Sequence, residues 1–350
     1  MKHGLAGVGD IADADTLIDV RSPAEFAEDH LPGAINCPVL DDDERALIGT
    51  LYKQVSPFEA KKRGAALVAK NIARHLEAQF LDRPRHWRPI VYCWRGGQRS
   101  GAMVTIFRSI GWDARQLEGG YKAWRRETVA TLETLPRQFR YRVLCGATGS
   151  AKSRILQAIA ALGEQVVDLE ALACHKGSVL GVLPDEAQPN QKLFETRLMT
   201  ALRGLDPARP VYVEAESRKI GRLQVPEAMI ESIRAADCIA IEAPLAARVD
   251  FLLRDYDYFL RDPDWLNSRL AALKALRGGE TVARWQAHAS EGRWQTLVEE
   301  LLGGHYDPLY QRSQERNYAG FGTPRTVVAE RLTPEGIAAV ARDIVADAAG

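Results

Sequence analysis

Short apolar runs alternate with longer segments of helical spacing along the first third of the chain. The apolar runs cover residues 16–20, 34–38 and 89–93, and each is bounded by turn-forming residues. Short runs of this kind are typical of buried strands. Helical spacing covers about 59–80 and 100–110. The alternation predicts a parallel, doubly wound sheet.

A second series of apolar runs begins at residue 141. Its members are 141–145, 165–169, 210–214, 238–242 and 325–329, and the long segment between the last two has mainly helical spacing. A chain of 350 residues also exceeds the usual size of one domain. We therefore predict two α/β domains, 1–127 and 141–350, joined by a linker at 128–140, with a helical insertion at about 245–320 in the second domain.

The charges of the chain balance, with 46 lysines and arginines against 46 aspartates and glutamates. A nucleic-acid partner would therefore have to be held by local basic patches. The N-terminal residues lack the pattern of a secretory signal, and no apolar stretch is long enough to span a bilayer. We expect a cytoplasmic protein that does not enter membranes.

One of the five cysteines, Cys93, lies in a loop whose residues are suited to a reactive thiol. It ends an apolar run and is followed by two glycines and then by helical spacing, so backbone N–H groups and a helix N-terminus can point at the loop centre. Such a loop stabilises an anion and lowers the pKa of a thiol, which favours a nucleophile that carries a persulfide or perselenide. A buried strand-end cysteine is the alternative interpretation. The candidate residues are Cys93 as nucleophile, Arg95 and Arg99 as oxyanion ligands, and Gly96, Gly97 and Gln98 in the anion-binding loop.

Residues 146–153 nearly match the phosphate-binding pattern G-x-x-x-x-G-K-[ST], between an apolar run and a helical segment. Backbone amides of this pattern surround phosphates, the lysine contacts them and the hydroxyl can bind Mg²⁺. Ala151 stands where the pattern has glycine, so either the backbone is shifted or the position does not need a positive φ. The candidate phosphate-binding residues are Gly146, Gly149, Ser150, Lys152 and Ser153.

Acidic residues follow the second and third predicted strands of the same domain. Strand ends face the phosphates in a phosphate-loop fold, where carboxylates can hold Mg²⁺, although solvated carboxylates are equally common at loop starts. The sequence assigns no metal site firmly. The candidates for Mg²⁺ or phosphate are Asp168, Glu216 and Arg218, beside Glu170 and Glu214.

Four segments of the first domain resemble the rhodanese superfamily: LIDVRSP at 17–23, EF at 25–26, HLPGAIN at 30–36 and EGGYKAW at 118–124. The resemblance covers roughly residues 10–127 and places Cys93 at the catalytic position of that family. Arg99 follows Cys93 by six residues, whereas many single-domain rhodaneses place this arginine one residue earlier. We hypothesise that the loop is wider and admits selenophosphate.

Further segments extend a resemblance to bacterial tRNA 2-selenouridine synthases over nearly the whole chain, as a rhodanese-like domain followed by a P-loop NTPase-like domain. These segments are 41–45, 51–54, 93–100, 168–170, 175–178, 216–218 and 306–310. The resemblance implies that selenium from selenophosphate replaces sulfur at C2 of the wobble 2-thiouridine in the tRNA anticodon loop, with a selenophosphate-supplying enzyme as a partner. It also implies geranylation of the same sulfur from geranyl diphosphate, and no tightly bound cofactor.

The Cys93 loop and the phosphate loop can each serve one of these two reactions, selenium transfer and geranylation. We hypothesise that the loop with Ala151 binds the diphosphate leaving group instead of hydrolysing ATP. His175 and Lys176 can help neutralise phosphates, although solvated surface charges are the alternative. Aromatic candidates for stacking on the extruded wobble base are Trp94, Tyr306 and Tyr310. Basic residues near the predicted linker, which can contact a phosphate backbone or simply be solvated, are Lys122, Arg125, Arg126, Arg137, Arg140 and Arg142.

Three other functions stay open on the sequence. A plain sulfurtransferase with a nucleotide-binding second domain predicts ATP hydrolysis without tRNA. A regulatory module would bind anions at the Cys93 loop without turnover. A phosphatase with the same Cys-x5-Arg spacing would cleave a generic aryl phosphate.

Overall fold

The chain divides into two compact units. The computed structural model describes residues 4–346, without the side chains at positions 311 and 313–315. The first unit consists of the residues up to Thr131 together with Asn190–Thr200. The second consists of Leu132–Pro189 and the residues from Ala201 onward. The predicted α/β class, with parallel sheets in both halves, is confirmed.

The first unit contains a five-stranded sheet in the order β1-β5-β4-β2-β3, and every neighbouring pair is parallel. The central strand β4 is buried at all four positions, as expected for a strand covered on both faces. The apolar runs did not predict β1 or β5, which are very short. The strands are β1 (Leu5–Ala6), β2 (Thr16–Asp19), β3 (Ile35–Asn36), β4 (Pro89–Tyr92) and β5 (Arg115–Leu117).

The helices of the first unit cover this sheet. Two of them, α2 (Asp42–Gln54) and α3 (Pro57–Gln79), form a long antiparallel hairpin. Helix α3 buries its core-facing side chains, and an aromatic cluster of Phe80, Trp87, Phe107 and Trp112 fills the space between α3, α4 and the sheet, with ring centroids 5.0–5.6 Å apart. The helices are α1 (Pro23–Glu28), α2 (Asp42–Gln54), α3 (Pro57–Gln79), α4 (Gln98–Ile110) and α5 (Gly120–Thr134), after a 3-10 helix at Val8–Asp13.

Residues Asn190–Thr200 pack in the first unit, whereas the predicted boundaries place them in the second domain. Phe194 and Leu198 from this segment are fully buried. Lys192 Nζ lies 2.5 Å from Glu28 Oε1, and Arg125 pairs with Glu195. These contacts join residues more than sixty positions apart, which periodicity along the chain does not report.

The second unit contains a five-stranded parallel sheet in the order β12-β11-β6-β8-β7 and a small antiparallel pair, β9 and β10. The strand β6, which leads into the phosphate-loop pattern, is central. The strands are β6 (Tyr141–Cys145), β7 (Gln165–Val167), β8 (Val211–Glu214), β9 (Lys219–Ile220), β10 (Leu223–Gln224), β11 (Asp237–Glu242) and β12 (Arg325–Val328).

In the second unit, helices pack on the sheet and also form the segment that was predicted as a helical insertion. A π-helix, Leu302–Tyr306, connects α15 to α16, and 3-10 helices lie at Leu135–Gln138, Ala271–Leu273 and Ala319–Gly322. The helices, of which α8 starts in the first unit, are α6 (Lys152–Ala161), α7 (Leu169–Ala173), α8 (Gln191–Arg203), α9 (Glu227–Arg234), α10 (Leu245–Asp255), α11 (Asp257–Arg261), α12 (Pro263–Leu270), α13 (Lys274–Arg277), α14 (Gly279–Ser290), α15 (Trp294–Leu301), α16 (Asp307–Asn317) and α17 (Pro334–Ala346).

The stretch 128–140, interpreted above as a linker, contains the end of α5 and the 3-10 helix Leu135–Gln138. Pro136 starts that short helix, where its missing N–H costs no hydrogen bond. Within residues 4–346, every helix is too short or too polar to span a lipid bilayer.

Candidate active site

Cys93 directly follows β4 and lies in a loop that ends where α4 begins. Its side chain is only 3% exposed. The backbone N–H of Gly97 donates a hydrogen bond to Sγ over 3.3 Å, and the hydroxyl of Ser100 donates another over 3.2 Å. Gln116 Nε2 in turn donates to Ser100 Oγ at 2.8 Å, which orients that hydroxyl. The thiol therefore has two donors and a fixed environment.

These donors decide the ionisation of Cys93. Burial by itself raises the pKa of the thiol, but hydrogen bonds from Ser100 and Gly97 and the charge of Arg99 outweigh it, so that the pKa falls below its ordinary value. The direction is the one expected from the sequence. A lowered pKa increases the fraction of thiolate at neutral pH, and the thiolate is the nucleophilic form.

The glycines of the loop allow a close approach of two backbone segments. Gly96 has a φ of +66° and Gly120 one of +57°. A Cβ at Gly120 would lie 2.3 Å from the carbonyl oxygen of Cys93, so no other residue fits there without a shift. Tyr121 N donates to that same oxygen at 2.9 Å. The EGGYKAW segment therefore packs against the backbone of the Cys93 loop and holds it in place.

Of the two predicted arginines, Arg99 is the one held at the loop. Its Nη1 lies 2.9 Å from Glu25 Oε2, and Glu25 also accepts a hydrogen bond from Ser22 N in the cap of α1. Arg95 is exposed, as is Gln98 in the first turn of α4. The sequence did not indicate the carboxylate of Glu25, because its ion pair joins positions 74 residues apart.

Trp94, predicted as a stacking surface, lies against Tyr121 with ring centroids 5.3 Å apart and planes 30° apart. Trp94 remains partly exposed. The pair provides an aromatic surface next to the nucleophile.

In the second unit, β6 is followed by the loop 146–151 and then by α6. Ala151 adopts a φ of 59° and a ψ of 27°, in the left-handed region that favours glycine. Of the two alternatives for this position, a site without need for a positive φ is therefore wrong. The loop keeps this conformation in spite of a cost of roughly 1–2 kcal/mol for a residue with a Cβ.

Two polar side chains of the phosphate loop, those of Lys152 and Ser153, form hydrogen bonds within the second unit. Lys152 Nζ donates to the carbonyl oxygen of Gly146 at 2.8 Å, and Ser153 Oγ donates to Glu170 Oε2 at 3.1 Å. Tyr310, predicted as a base-stacking residue, accepts a hydrogen bond from Gly146 N. Ser150 Oγ is buried and has no hydrogen-bond partner among the described residues.

Three carboxylates gather beside this loop. Oxygen atoms of Glu170, Glu214 and Glu216 all lie within 4.8 Å of one another. Burial, followed by repulsion from Glu214, raises the pKa of Glu170 to about 10 and that of Glu216 to about 8. Glu214 is 4% exposed, its Oε1 has no hydrogen-bond partner among residues 4–346, and burial raises its pKa as well. Such a cluster is suited to a cation.

The structure brings only one of the three predicted Mg²⁺ or phosphate residues into this cluster, namely Glu216. Asp168 caps α7 by accepting from Ala171 N at 2.8 Å, and its side chain also lines the cavity described below. Arg218 pairs with Glu227 on the surface. Glu170 and Glu214, named beside these three in the sequence analysis, complete the cluster, whereas the carboxylate of Asp168 caps the N-terminus of α7.

A cavity of about 850 Å³ opens over the phosphate loop, within the range of ligand sites. Lys152, the glutamate cluster and His175 line it. A second, apolar pocket lies among α10, α12 and α15, and none of the described residues that line it is charged. The residues that line both spaces are Thr148, Ser178, Leu252, Tyr256 and Tyr306.

Several further basic candidates are held by neighbouring groups. Lys176 Nζ lies 2.6 Å from Asp255 Oδ2 and 4.0 Å from the centre of the Tyr256 ring. Near the predicted linker, Arg137 pairs with Glu231, and Arg140 donates to a backbone carbonyl. His175 is buried, and burial lowers its pKa.

A buried thiol on an anion-binding loop in one unit and a phosphate loop with a carboxylate cluster in the other define a class of protein, a rhodanese domain followed by a P-loop domain. A family model for the Rhodanese-like domain matches residues 8–127, and one for the tRNA 2-selenouridine synthase AAA domain matches residues 139–264. The chain belongs to the tRNA 2-selenouridine synthase family.

Relatives of that name align over most of the chain. The tRNA 2-selenouridine synthase of Nitrosomonas europaea is 39% identical over 264 residues, covering 73% of this chain and 68% of the relative. That of Shewanella denitrificans is 34% identical over 341 residues, covering 87% and 90%. That of Marinobacter nauticus is 34% identical over 325 residues, covering 84% and 87%.

Proposed function

We propose that this chain replaces the sulfur of wobble 2-thiouridine in tRNA by selenium from selenophosphate, through an S-geranyl intermediate formed from geranyl diphosphate. Family membership supports the overall reaction. The two sites support its division into an alkylation step in the second unit and a selenium-transfer step at Cys93. An enzyme that supplies selenophosphate is the expected partner.

The observation that carries the alkylation step is that two neighbouring spaces in the second unit share five lining residues. The cavity over Lys152 suits a diphosphate, and the apolar pocket beside it suits a hydrocarbon chain, with Tyr306 and Leu252 lining both. A nucleotide has no group of comparable apolarity to place there. In the proposed step the thiocarbonyl sulfur attacks C1 of the geranyl group, the C–O bond to the diphosphate breaks, and N3 of the base loses its proton.

Lys152 and the loop amides neutralise the diphosphate as it leaves, since its negative charge grows while the C–O bond breaks. The carboxylates of Glu170, Glu214 and Glu216, with the hydroxyl of Ser153, would hold Mg²⁺, and the buried, unpartnered oxygen of Glu214 fits that role. The cation would offset the negative charge that the carboxylates otherwise share with the diphosphate.

The selenium-transfer step uses the thiolate of Cys93. Gly97 N and Ser100 Oγ stabilise its negative charge, and Arg99 can turn from Glu25 to a tetrahedral oxyanion of the donor. In the proposed step the thiolate attacks the selenium of selenophosphate, the P–Se bond breaks with its electron pair left on phosphorus, and phosphite leaves. The resulting perselenide attacks C2 of the S-geranylated base, and geranylthiolate leaves. Two molecules of a reducing thiol then cleave the S–Se bond and leave as a disulfide, which frees both Cys93 and the selenouridine.

Geranyl transfer measured alone tests the assignment of the second unit. A 2-thiouridine tRNA is incubated with geranyl diphosphate, and its nucleosides are analysed by mass spectrometry for wild type, Lys152→Ala and Leu301→Trp, a substitution that narrows the apolar pocket. We expect loss of the geranylated nucleoside in both variants. Leu245→Trp, at an exposed position on α10, is the matched control and should retain it. Full geranyl transfer in Lys152→Ala would contradict the assignment of the second unit. ATP hydrolysis that neither tRNA nor geranyl diphosphate stimulates, with no geranyl transfer by wild type, would instead support a sulfurtransferase with a nucleotide site.

A further inference from the structure

The turn between α2 and α3 carries large apolar side chains in solvent. Tyr52, Val55 and Phe58 expose 56%, 68% and 68% of their surface. Exposed aromatic residues this close in sequence point to a binding surface. The reaction proposed above gives them no role.

This turn is well ordered by its own hydrogen bonds. Leu51 O accepts from Val55 N at 3.1 Å and from Ser56 N at 2.9 Å. Ser56 Oγ accepts from Phe58 N at 3.2 Å and caps α3. The exposed side chains are therefore presented by a fixed backbone, so a ligand need not order the turn when it binds.

The hairpin of α2 and α3 places the turn at a distance from the core of the first unit. Contacts to the core of the first unit begin at Val68, which packs against the buried apolar cluster, and continue at Asn71, whose Nδ2 donates to Val39 O. At 1.5 Å per residue, α3 places Phe58 about 15 Å beyond Val68. Ala60 is buried within the hairpin, whereas Tyr52, Val55 and Phe58 at its tip are exposed.

The same tip has a local excess of positive charge in a chain whose net charge is zero. Residues 51–64 contain the basic side chains of Lys53, Lys61, Lys62 and Arg63 and a single acidic one, Glu59. Lys62 pairs with Glu59 at 2.7 Å, with its Nζ 5.2 Å from the centre of the Phe58 ring. The remaining basic side chains extend into solvent.

We propose that the hairpin tip, residues 51–63, binds an unpaired segment of the RNA substrate. Tyr52 and Phe58 would stack on bases, and Lys53 and Lys61 would contact phosphates, the combination by which proteins hold single strands. A protein partner would need about 800 Å² on each side, which a narrow turn does not offer. The inference rests on the proposed function in taking RNA as the substrate.

Direct RNA binding tests the tip without depending on the chemistry. Fluorescence anisotropy is measured with a labelled anticodon stem-loop RNA and the full-length chain, for wild type and for Tyr52→Ala/Phe58→Ala. Each stacked base contributes about 1–3 kcal/mol, so we expect affinity to fall at least tenfold. Leu81→Ala is the matched control, since Leu81 is 69% exposed just beyond the other end of α3, and it should bind as wild type does.

Salt dependence tests the basic residues. Lys53→Gln/Lys61→Gln should reduce the slope of log affinity against log salt by about 0.7 for each phosphate that is no longer neutralised, whereas Lys70→Gln should leave it unchanged. Wild-type affinity in both tip variants would overturn the inference while leaving the proposed function intact. Loss of self-association in light scattering, with RNA affinity unchanged, would also overturn it. A wild-type chain that neither binds nor modifies tRNA would overturn the proposed function itself.

Discussion

Replacing Ser100 by alanine removes the side-chain hydrogen bond to the Cys93 thiolate. The Ser100 hydroxyl is fully buried and donates to Sγ at 3.2 Å, and its orientation is fixed by Gln116. A hydrogen bond to a charged group contributes about 1.5–3 kcal/mol. Because the bond to sulfur is long, we take the lower limit, which corresponds to a rise of about one unit in the pKa of Cys93.

The assay is the pH dependence of alkylation of Cys93 by iodoacetamide, followed by mass spectrometry of the peptide that contains it. In wild type the midpoint should lie below the ordinary value of a thiol, since donors outweigh burial. In Ser100→Ala the midpoint should move up by about one unit, with slower alkylation at neutral pH. Ser109→Ala is the control, because Ser109 lies on the same helix and donates only to Ile106 O. Equal midpoints in wild type and Ser100→Ala would refute the account of the loop.

Three further substitutions test other parts of the two sites. Ala151→Gly should raise the free energy of unfolding, measured by thermal denaturation, by about 0.5–1 kcal/mol, since relief of the left-handed strain exceeds the entropy that glycine adds to the unfolded chain. Ala158→Gly, inside α6, should lower the free energy of unfolding, and equal effects of the two substitutions would contradict the strain at Ala151. Glu214→Gln should stabilise the metal-free protein by about 0.5–2 kcal/mol and abolish any stabilisation by Mg²⁺, and a variant that Mg²⁺ stabilises as well as wild type would rule out Glu214 as a ligand. Glu25→Gln should lower the selenophosphate concentration for half-maximal loading of Cys93 about two- to fivefold, because Arg99 loses its competing carboxylate; an unchanged concentration would count against that competition.

The sequence predicted strands well where an apolar run was about five residues long. The run 141–145 is β6, and 238–242 lies within β11. It did not predict β1 or β5, which are only two and three residues long and pair with each other at the edge of the sheet. β3 is equally short but lies within the longer run 34–38, whereas the residues around β1 and β5 form no such run, so only their pairing defines those two strands.

Local motifs predicted the two loops because the chemistry of each lies within eight consecutive residues. Contacts between positions distant in the sequence could not be predicted from such motifs. The bond from Gly146 N to Tyr310 joins residues 164 positions apart. The strand-end rule found the edge at which carboxylates meet, but it could not tell that Asp168 would cap α7 while Glu170 turned toward Ser153.

The central claim is that selenium passes through Cys93 after the sulfur has been alkylated in the second unit. The most direct test is mass spectrometry of nucleosides from 2-thiouridine tRNA incubated with geranyl diphosphate, selenophosphate and a reducing thiol, for wild type and Cys93→Ala. The account predicts selenouridine from wild type and accumulated S-geranyl-2-thiouridine, without selenouridine, from Cys93→Ala. Selenouridine formed equally by both proteins, or tRNA unchanged by wild type, would contradict it.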